Sequence, residues 1–149
     1  MRPDTKLYLL HRYLAAVMGW EDRHLFAFEI GGREYLVPDR EYPSGWKTFD
    51  VRRYTVERVC PTLPCAFAYT YDFGDQWIHD VMIEGEEPAV YRKQYPICVD
   101  GSGDCPPEDC GGAFAFMEQR DDPELRHRQR PFYLQGATWT MRDIQRGWR

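Results

Sequence analysis

The sequence lacks any apolar run long enough to span a bilayer, and Met1–Leu10 carries Arg2, Asp4 and Lys6 where a secretory leader needs an apolar stretch. Neither a membrane span nor an export signal is expected, and the expected compartment is the cytoplasm. A cationic surplus is missing too: 19 Lys and Arg stand against 24 Asp and Glu, a formal net charge of −5. Phosphate backbones are held by clustered cations, so a nucleic-acid partner is not expected. Five cysteines are present, yet no two are spaced as the CxxC knuckle that makes a zinc signature strong. Five is also an odd number. In a reducing compartment such thiols serve as metal ligands or as small buried groups more often than as disulfide partners. There is no internal repeat and no low-complexity segment.

What is present is enough for one domain. The 149 residues can bury a sizeable core, and an aromatic content of 15% makes that core bulky. Charge is unevenly spread. Residues 1–119 carry 12 basic and 20 acidic residues, whereas residues 120–149 carry seven Arg and four acids. A solvated face packed on its own domain accounts for that basic tail more simply than an acidic partner does.

Periodicity places the elements. Thr5 is positioned to cap a helix running to about Met18, with Leu7, Leu10, Leu14, Val17 and Met18 forming one apolar stripe and Gly19 ending it. His11 within it is expected at the surface or hydrogen-bonded. His24–Ile30 and Arg33–Val37 read as strands around the turn Gly31-Gly32. Residues 38–46 read as a polar loop, and Phe49–Val59 as a short helix or strand. The strongest hairpin joins Ala66–Thr70 to Trp77–Glu84. Phe67, Tyr69 and Tyr71 alternate on one arm, and Trp77, His79, Val81 and Ile83 on the other. Asp72-Phe73-Gly74-Asp75 supplies the turn. Parity turns His79 inward beside Trp77, where an imidazole needs a polar partner, and turns Asp80 the other way. Phe114–Arg120 reads as a helix. Asp122-Pro123-Glu124 starts another that Pro131 ends, and Thr140 with Asp143 starts a short final helix. The fold class is therefore α+β: an antiparallel sheet built from hairpins, packed by an N-terminal helix and short C-terminal helices.

Between them lies Tyr95–Gly112, with Cys98, Cys105 and Cys110, three prolines, four acids and Gly101, Gly103, Gly111 and Gly112. No helical or strand period survives that many breakers, so an ordered loop is expected, with the cysteines as the obvious fastening.

The run Leu10-His11 through Met18-Gly19-Trp20, the block Tyr71-Asp72-Phe73-Gly74-Asp75-Gln76-Trp77-Ile78-His79 and the block Cys105-Pro106-Pro107-Glu108-Asp109-Cys110-Gly111-Gly112 occur in that order. Together they resemble the plasmid pRiA4b ORF-three-like family, also labelled as an insertion-element passenger (TnpR-type) protein. The resemblance covers about residues 5–120. It implies a fold and a plasmid or mobile-element history more than a reaction. Members usually open with a strand carrying a Pro-Pro-Ile-Trp-Arg-type segment, which is missing here. An edge strand lost from the sheet, or a misassigned start codon, is the corresponding expectation. The TnpR label alone suggests recombination. A serine recombinase needs a nucleophilic Ser with activating arginines, and Ser44 and Ser102 both sit beside Gly in loops.

Three chemistries remain. Cys98, Cys105 and Cys110 with His79 would supply four ligands to a structural zinc ion, against a packing role for the thiols; Cys60 and Cys65 are expected to be buried or incidental. Asp72, Asp75, Asp80, Glu108 and Asp109 with His79 would suit a Mg²⁺-dependent hydrolase or nuclease, against turn and cap roles for the same acids. Exposed aromatics such as Trp46, Phe73 and Tyr91 would suit a binding surface for a protein partner, against a place in the domain's own core. A binding or accessory protein without catalysis is the expectation, and the metal-dependent hydrolase is the alternative.

Overall fold

Backbone bonds from the middle of the chain set where its first helix begins. In the computed structural model, which describes residues 1–38, 47–120, 122–123 and 130–147, helix α1 is Leu7–Met18. The Leu7 N–H donates to the Tyr54 carbonyl at 3.0 Å, and the Thr5 carbonyl accepts from Val56 N–H at 2.9 Å. Leu7, Leu9, Leu10, Tyr13, Ala15 and Ala16 are all buried. The predicted stripe holds only in part: Leu7 and Leu10 are buried, Leu14, Val17 and Met18 are half-buried, and Leu9, Tyr13, Ala15 and Ala16 outside it are buried. It ends as predicted at Gly19, whose φ of 73° suits a residue without Cβ. Trp20 N–H reaches Ala15 O at 2.9 Å and Gly19 N–H reaches Ala16 O at 3.2 Å, the paired bonds of a Schellman end.

The chain forms two compact units: a sheet unit of Arg2–Leu10 with His24–Lys93, and a helical unit of Met1, His11–Arg23 and Gln94–Arg149.

The sheet unit contains β1 (Phe26–Ile30), β2 (Arg33–Leu36), β3 (Thr48–Asp50), β4 (Cys65–Tyr71) and β5 (Trp77–Ile83), with the one-turn helix α2 (Val56–Val59) before β4. The sheet order is β3-β2-β1-β4-β5. Gly31 and Gly32 both have positive φ, which the tight β1–β2 turn requires. Every pairing is antiparallel except β2–β3, which is parallel. Eleven residues separate those two strands, enough chain to return in the same direction, so the sheet is mixed rather than wholly antiparallel.

The predicted alternation holds on β4 and β5. Phe67, Tyr69 and Tyr71 are buried together with Phe26 and Phe28. Phe28 and Tyr69 pack with ring centroids 5.0 Å apart, and Phe28 meets Phe26 and Phe67 edge-on at 6.0 and 5.9 Å. Each such ring pair adds about 0.5–1.5 kcal/mol to what burial alone contributes. This aromatic layer is the centre of the unit's core.

The helical unit holds β6 (Asp104–Cys105) paired with β7 (Arg130–Pro131), α3 (Gly112–Gln119) and α4 (Leu134–Gly147). A two-residue strand therefore interrupts the expected loop. The final helix is long, not short, and begins six residues before Thr140. That residue sits inside the helix, with Oγ1 donating to Gly136 O at 3.0 Å. Gly136, Thr138 and Thr140 are weak helix formers and hide the helix from a propensity reading. Gly136 has a packing reason: a Cβ there would meet the Tyr133 ring at 2.5 Å. The helix expected from Asp122 to Pro131 lies largely outside the described residues, as does the loop containing Trp46; Pro131 itself lies in β7.

Candidate functional site

In the sheet unit, the β4–β5 turn holds two of the five predicted acids, Asp72 and Asp75. Asp72 has φ 56° and Gln76 has φ 52°, so the left-handed positions fall there rather than on Gly74. Asp72 Oδ1 accepts from Gly74 N–H at 2.9 Å and from Asp75 N–H at 3.3 Å, while its own N–H donates to Leu25 O at 2.9 Å. The Asp72 carboxylate therefore shapes the turn. Its other oxygen lies 3.7 Å from His24 Nδ1, and the His24 ring stands edge-on to Tyr71 at 5.8 Å. This His–carboxylate pair was not anticipated. His24 precedes β1 and Asp72 follows β4, so only the β1–β4 register, with Phe26 opposite Tyr71, brings them together. No local pattern carries that pairing.

His79 faces inward as parity requires, directly across from Tyr69. Its Nδ1 lies 3.3 Å from the Tyr69 carbonyl, which accepts only, so Nδ1 carries the proton in that contact. Burial pushes the His79 pKa below its usual value, and backbone hydrogen bonds involving Tyr69 and Trp77 oppose the shift. Asp80 is exposed on the opposite side of the strand. His79 and Asp80 do not share a face.

In the helical unit, the Cys-containing loop is fastened by side chains from elsewhere in the unit as well as by Cys105, whose Sγ meets Val17 O. Arg142 donates through Nε to Pro96 O at 3.2 Å and through Nη2 to Gln94 O at 2.8 Å. Thr138 Oγ1 accepts from Cys98 N–H at 3.0 Å. The buried Trp20 indole N–H donates to Pro106 O at 3.0 Å, and Glu108 Oε1 accepts from Glu21 N–H at 2.6 Å. The thiols go separate ways. Cys98 Sγ lies 3.5 Å from Asp100 O, Cys105 Sγ lies 3.8 Å from Val17 O, and Cys110 is buried. Among the described residues these three sulfur atoms do not form a group lying within 4.8 Å of one another. Burial, with the Asp104 charge adding to it, raises the Cys105 pKa and keeps it a thiol. Asp109 is exposed at φ 56°, and Gly111 takes the N-cap position of α3 for which Asp109 was a candidate.

The same unit contains a second unforeseen pair. Of the two outcomes expected for His11, the hydrogen-bonded one holds: it is fully buried, and its Nε2 is 2.6 Å from Asp22 Oδ1. Desolvation lowers the His11 pKa, while the Asp22 hydrogen bond and charge pull it back up. Arg12 Nε stands 3.7 Å from the second Asp22 oxygen.

The expectation for Cys60 and Cys65 holds in part: Cys60 is buried, but the pair is not reduced. Cys60 and Cys65 form a disulfide, with Cα atoms 5.7 Å apart. α2 ends at Cys60 and β4 opens at Cys65, so the Pro-rich turn between them returns the chain on itself and brings the thiols within bonding reach.

Over residues 1–144 the chain matches the family model described as Plasmid pRiA4b ORF-3-like protein. It belongs to that family. The match extends beyond residues 5–120, the span suggested by the three motif blocks. In this pRiA4b ORF-3-like chain the first block forms α1 with its Schellman end, the second forms the β4–β5 corner, and the third runs from β6 into α3. The uncharacterised protein y4hQ of Sinorhizobium fredii is 39% identical over 114 residues, covering 76% of this chain and 57% of that protein. The chain thus spans little more than half of that relative's length. A protein of unknown function from Methanosarcina mazei Go1, solved by crystallography, superposes with a TM-score of 0.70 at 29% identity, over 85% of this chain and 74% of that one. Among the described residues no helix is long and apolar enough to cross a membrane.

Proposed function

We propose that this pRiA4b ORF-3-like protein is a binding, accessory protein of plasmid lineage whose contact surface is the open flank of its sheet. One observation carries the reading: among the described residues β5 is one of the two edge strands, and it exposes Ile78 and Met82, 65% and 58% accessible, on the same side. A long edge strand with apolar side chains outward is a template for pairing unless something covers it. Tyr91, 84% accessible in the coil after β5, adds an aromatic group to the same stretch of chain. The engagements of the predicted acids favour the same reading over hydrolysis. One Asp72 oxygen is occupied in shaping its turn, and Asp80 points away from His79. The passenger role implied by the mobile-element label fits an accessory protein and supplies no chemistry of its own.

The test combines turnover and metal content. Purified protein is assayed against nucleic acid and ester substrates with Mg²⁺ or Mn²⁺, and its metal content is measured directly. The reading expects no cleavage that depends on His79. Cleavage abolished by His79→Ala, with thermal stability unchanged, would replace it with the hydrolase. Stoichiometric zinc lost on Cys98→Ser or Cys110→Ser would establish the thiol site and leave the binding role to be judged on the β5 surface.

A further inference from the structure

The outer strand also indicates what it would hold. Between Arg58 and Arg92 the chain has no Lys or Arg, yet it carries Asp72, Asp75, Asp80, Glu84, Glu86 and Glu87. All of β4 and β5 lies within that stretch. Asp80 stands between the exposed Ile78 and Met82, and Glu84, Glu86 and Glu87 are exposed directly after the strand. None of the described ion pairs involves Asp80 or these three glutamates. Burial also thins outward across the sheet. Phe67, Tyr69 and Tyr71 on β4 are buried, whereas Val81 and Ile83 on the same face of β5 are half-exposed. One face of the rim therefore alternates exposed apolar and acidic side chains, Ile78, Asp80, Met82 and Glu84, and the other carries half-exposed Val81 and Ile83.

Building on the contact-surface reading, we infer that Asp80–Ile83 accepts an extended, cationic peptide segment as a sixth strand, with basic side chains of the partner meeting Asp80 and Glu84 and apolar ones alternating between them. Strand addition derives affinity from main-chain hydrogen bonds and specificity from alternate side chains, and complementary charge selects the partner. A second copy of this rim would oppose acid to acid.

The experiment uses the full chain and three nine-residue peptides: alternating Val and Lys, alternating Val and Glu, and the Val/Lys peptide with Pro at its centre. Binding is measured by calorimetry, and amide exchange of Asp80–Ile83 by NMR. The Val/Lys peptide is expected to bind saturably, at least tenfold tighter than the other two, and to slow exchange of those amides at least tenfold. Raising salt should weaken it severalfold. The double variant Asp80→Lys/Glu84→Lys should reverse the preference toward the Val/Glu peptide. Asp80→Asn, a milder change, should weaken Val/Lys binding with the fold intact by circular dichroism. Equal or tighter binding of the Val/Glu peptide by the native chain would remove the cationic partner while leaving the contact surface standing. Exchange unaltered by every peptide, or protection of the strand through dimerisation alone, would overturn the proposal. His79-dependent turnover would instead bring down the reading on which it rests.

Discussion

The two units of this chain are held together by different means. In the sheet unit, order is spread over ladders and a continuous aromatic layer, so each strand is specified many times over. In the helical unit, the Cys-containing loop hangs on a few separate hydrogen bonds between individual backbone groups and Trp20, Thr138 and Arg142. Distributed packing tolerates local loss, whereas point fastening fails locally and leaves its surroundings in place.

The strongest way to break the first regime is to remove a ring from its middle. Phe28→Ala is expected to cost about 3–5 kcal/mol, because the ring is fully buried among Phe26, Phe67 and Tyr69. Urea unfolding followed through the β1 and β4 amides measures it. A loss below about 1 kcal/mol would mean that the aromatic layer does not carry the unit. Next comes the disulfide. Its ends are five positions apart, and closing so short a loop stabilises by about 2 kcal/mol in the chain-entropy picture. Melting with and without dithiothreitol, alongside Cys60→Ala/Cys65→Ala, should give matching losses; a reduced protein as stable as the oxidised one refutes the estimate.

Smaller effects probe the second regime. Thr138→Val keeps the shape but removes the acceptor for Cys98 N–H, and should cost about 1–3 kcal/mol. Exchange should quicken around Cys98 while the β1 and β4 amides keep their protection. Equal loss in both units would erase the contrast between them. Smallest is the acid response. His11 and His79 both have folded-state pKa values below 6.5, chiefly through burial. The unfolded chain therefore binds protons more readily than the folded one, and stability falls as pH drops below about 6.5 toward the folded pKa values. Asp22→Asn removes what pulls the His11 pKa upward and should deepen the loss on that side; an NMR titration of the His11 ring, with its pKa moving down, checks the sign.

The same contrast explains what the sequence could show. Alternation of Phe67, Tyr69 and Tyr71 against Val81 and Ile83 is a local, period-two signal, and it locates the β4–β5 hairpin and the orientation of His79. The Gly31-Gly32 turn and the Gly19 helix end were equally legible, because backbone sterics act within a few residues. The fastening of the loop was not. Trp20 reaches Pro106, and Thr138 reaches Cys98, across long stretches of chain, through single bonds that leave no periodic trace. The His24–Asp72 and His11–Asp22 pairs escaped for related reasons: one depends on strand register, the other on a turn that doubles back after Gly19. The conspicuous cysteines drew attention to sulfur, and an arginine, a threonine and an indole fasten the loop as well.

The interleaving of the units has a consequence for synthesis on the ribosome. Residues 2–10 and 24–93 complete the sheet unit, so it can assemble once its last strand has cleared the exit tunnel. Residues 11–23 emerge early yet belong with partners from 94 onward. Until those follow, Tyr13, Ala15, Ala16 and Trp20 lack the unit in which they are buried, a nascent apolar segment of the kind that chaperones shield.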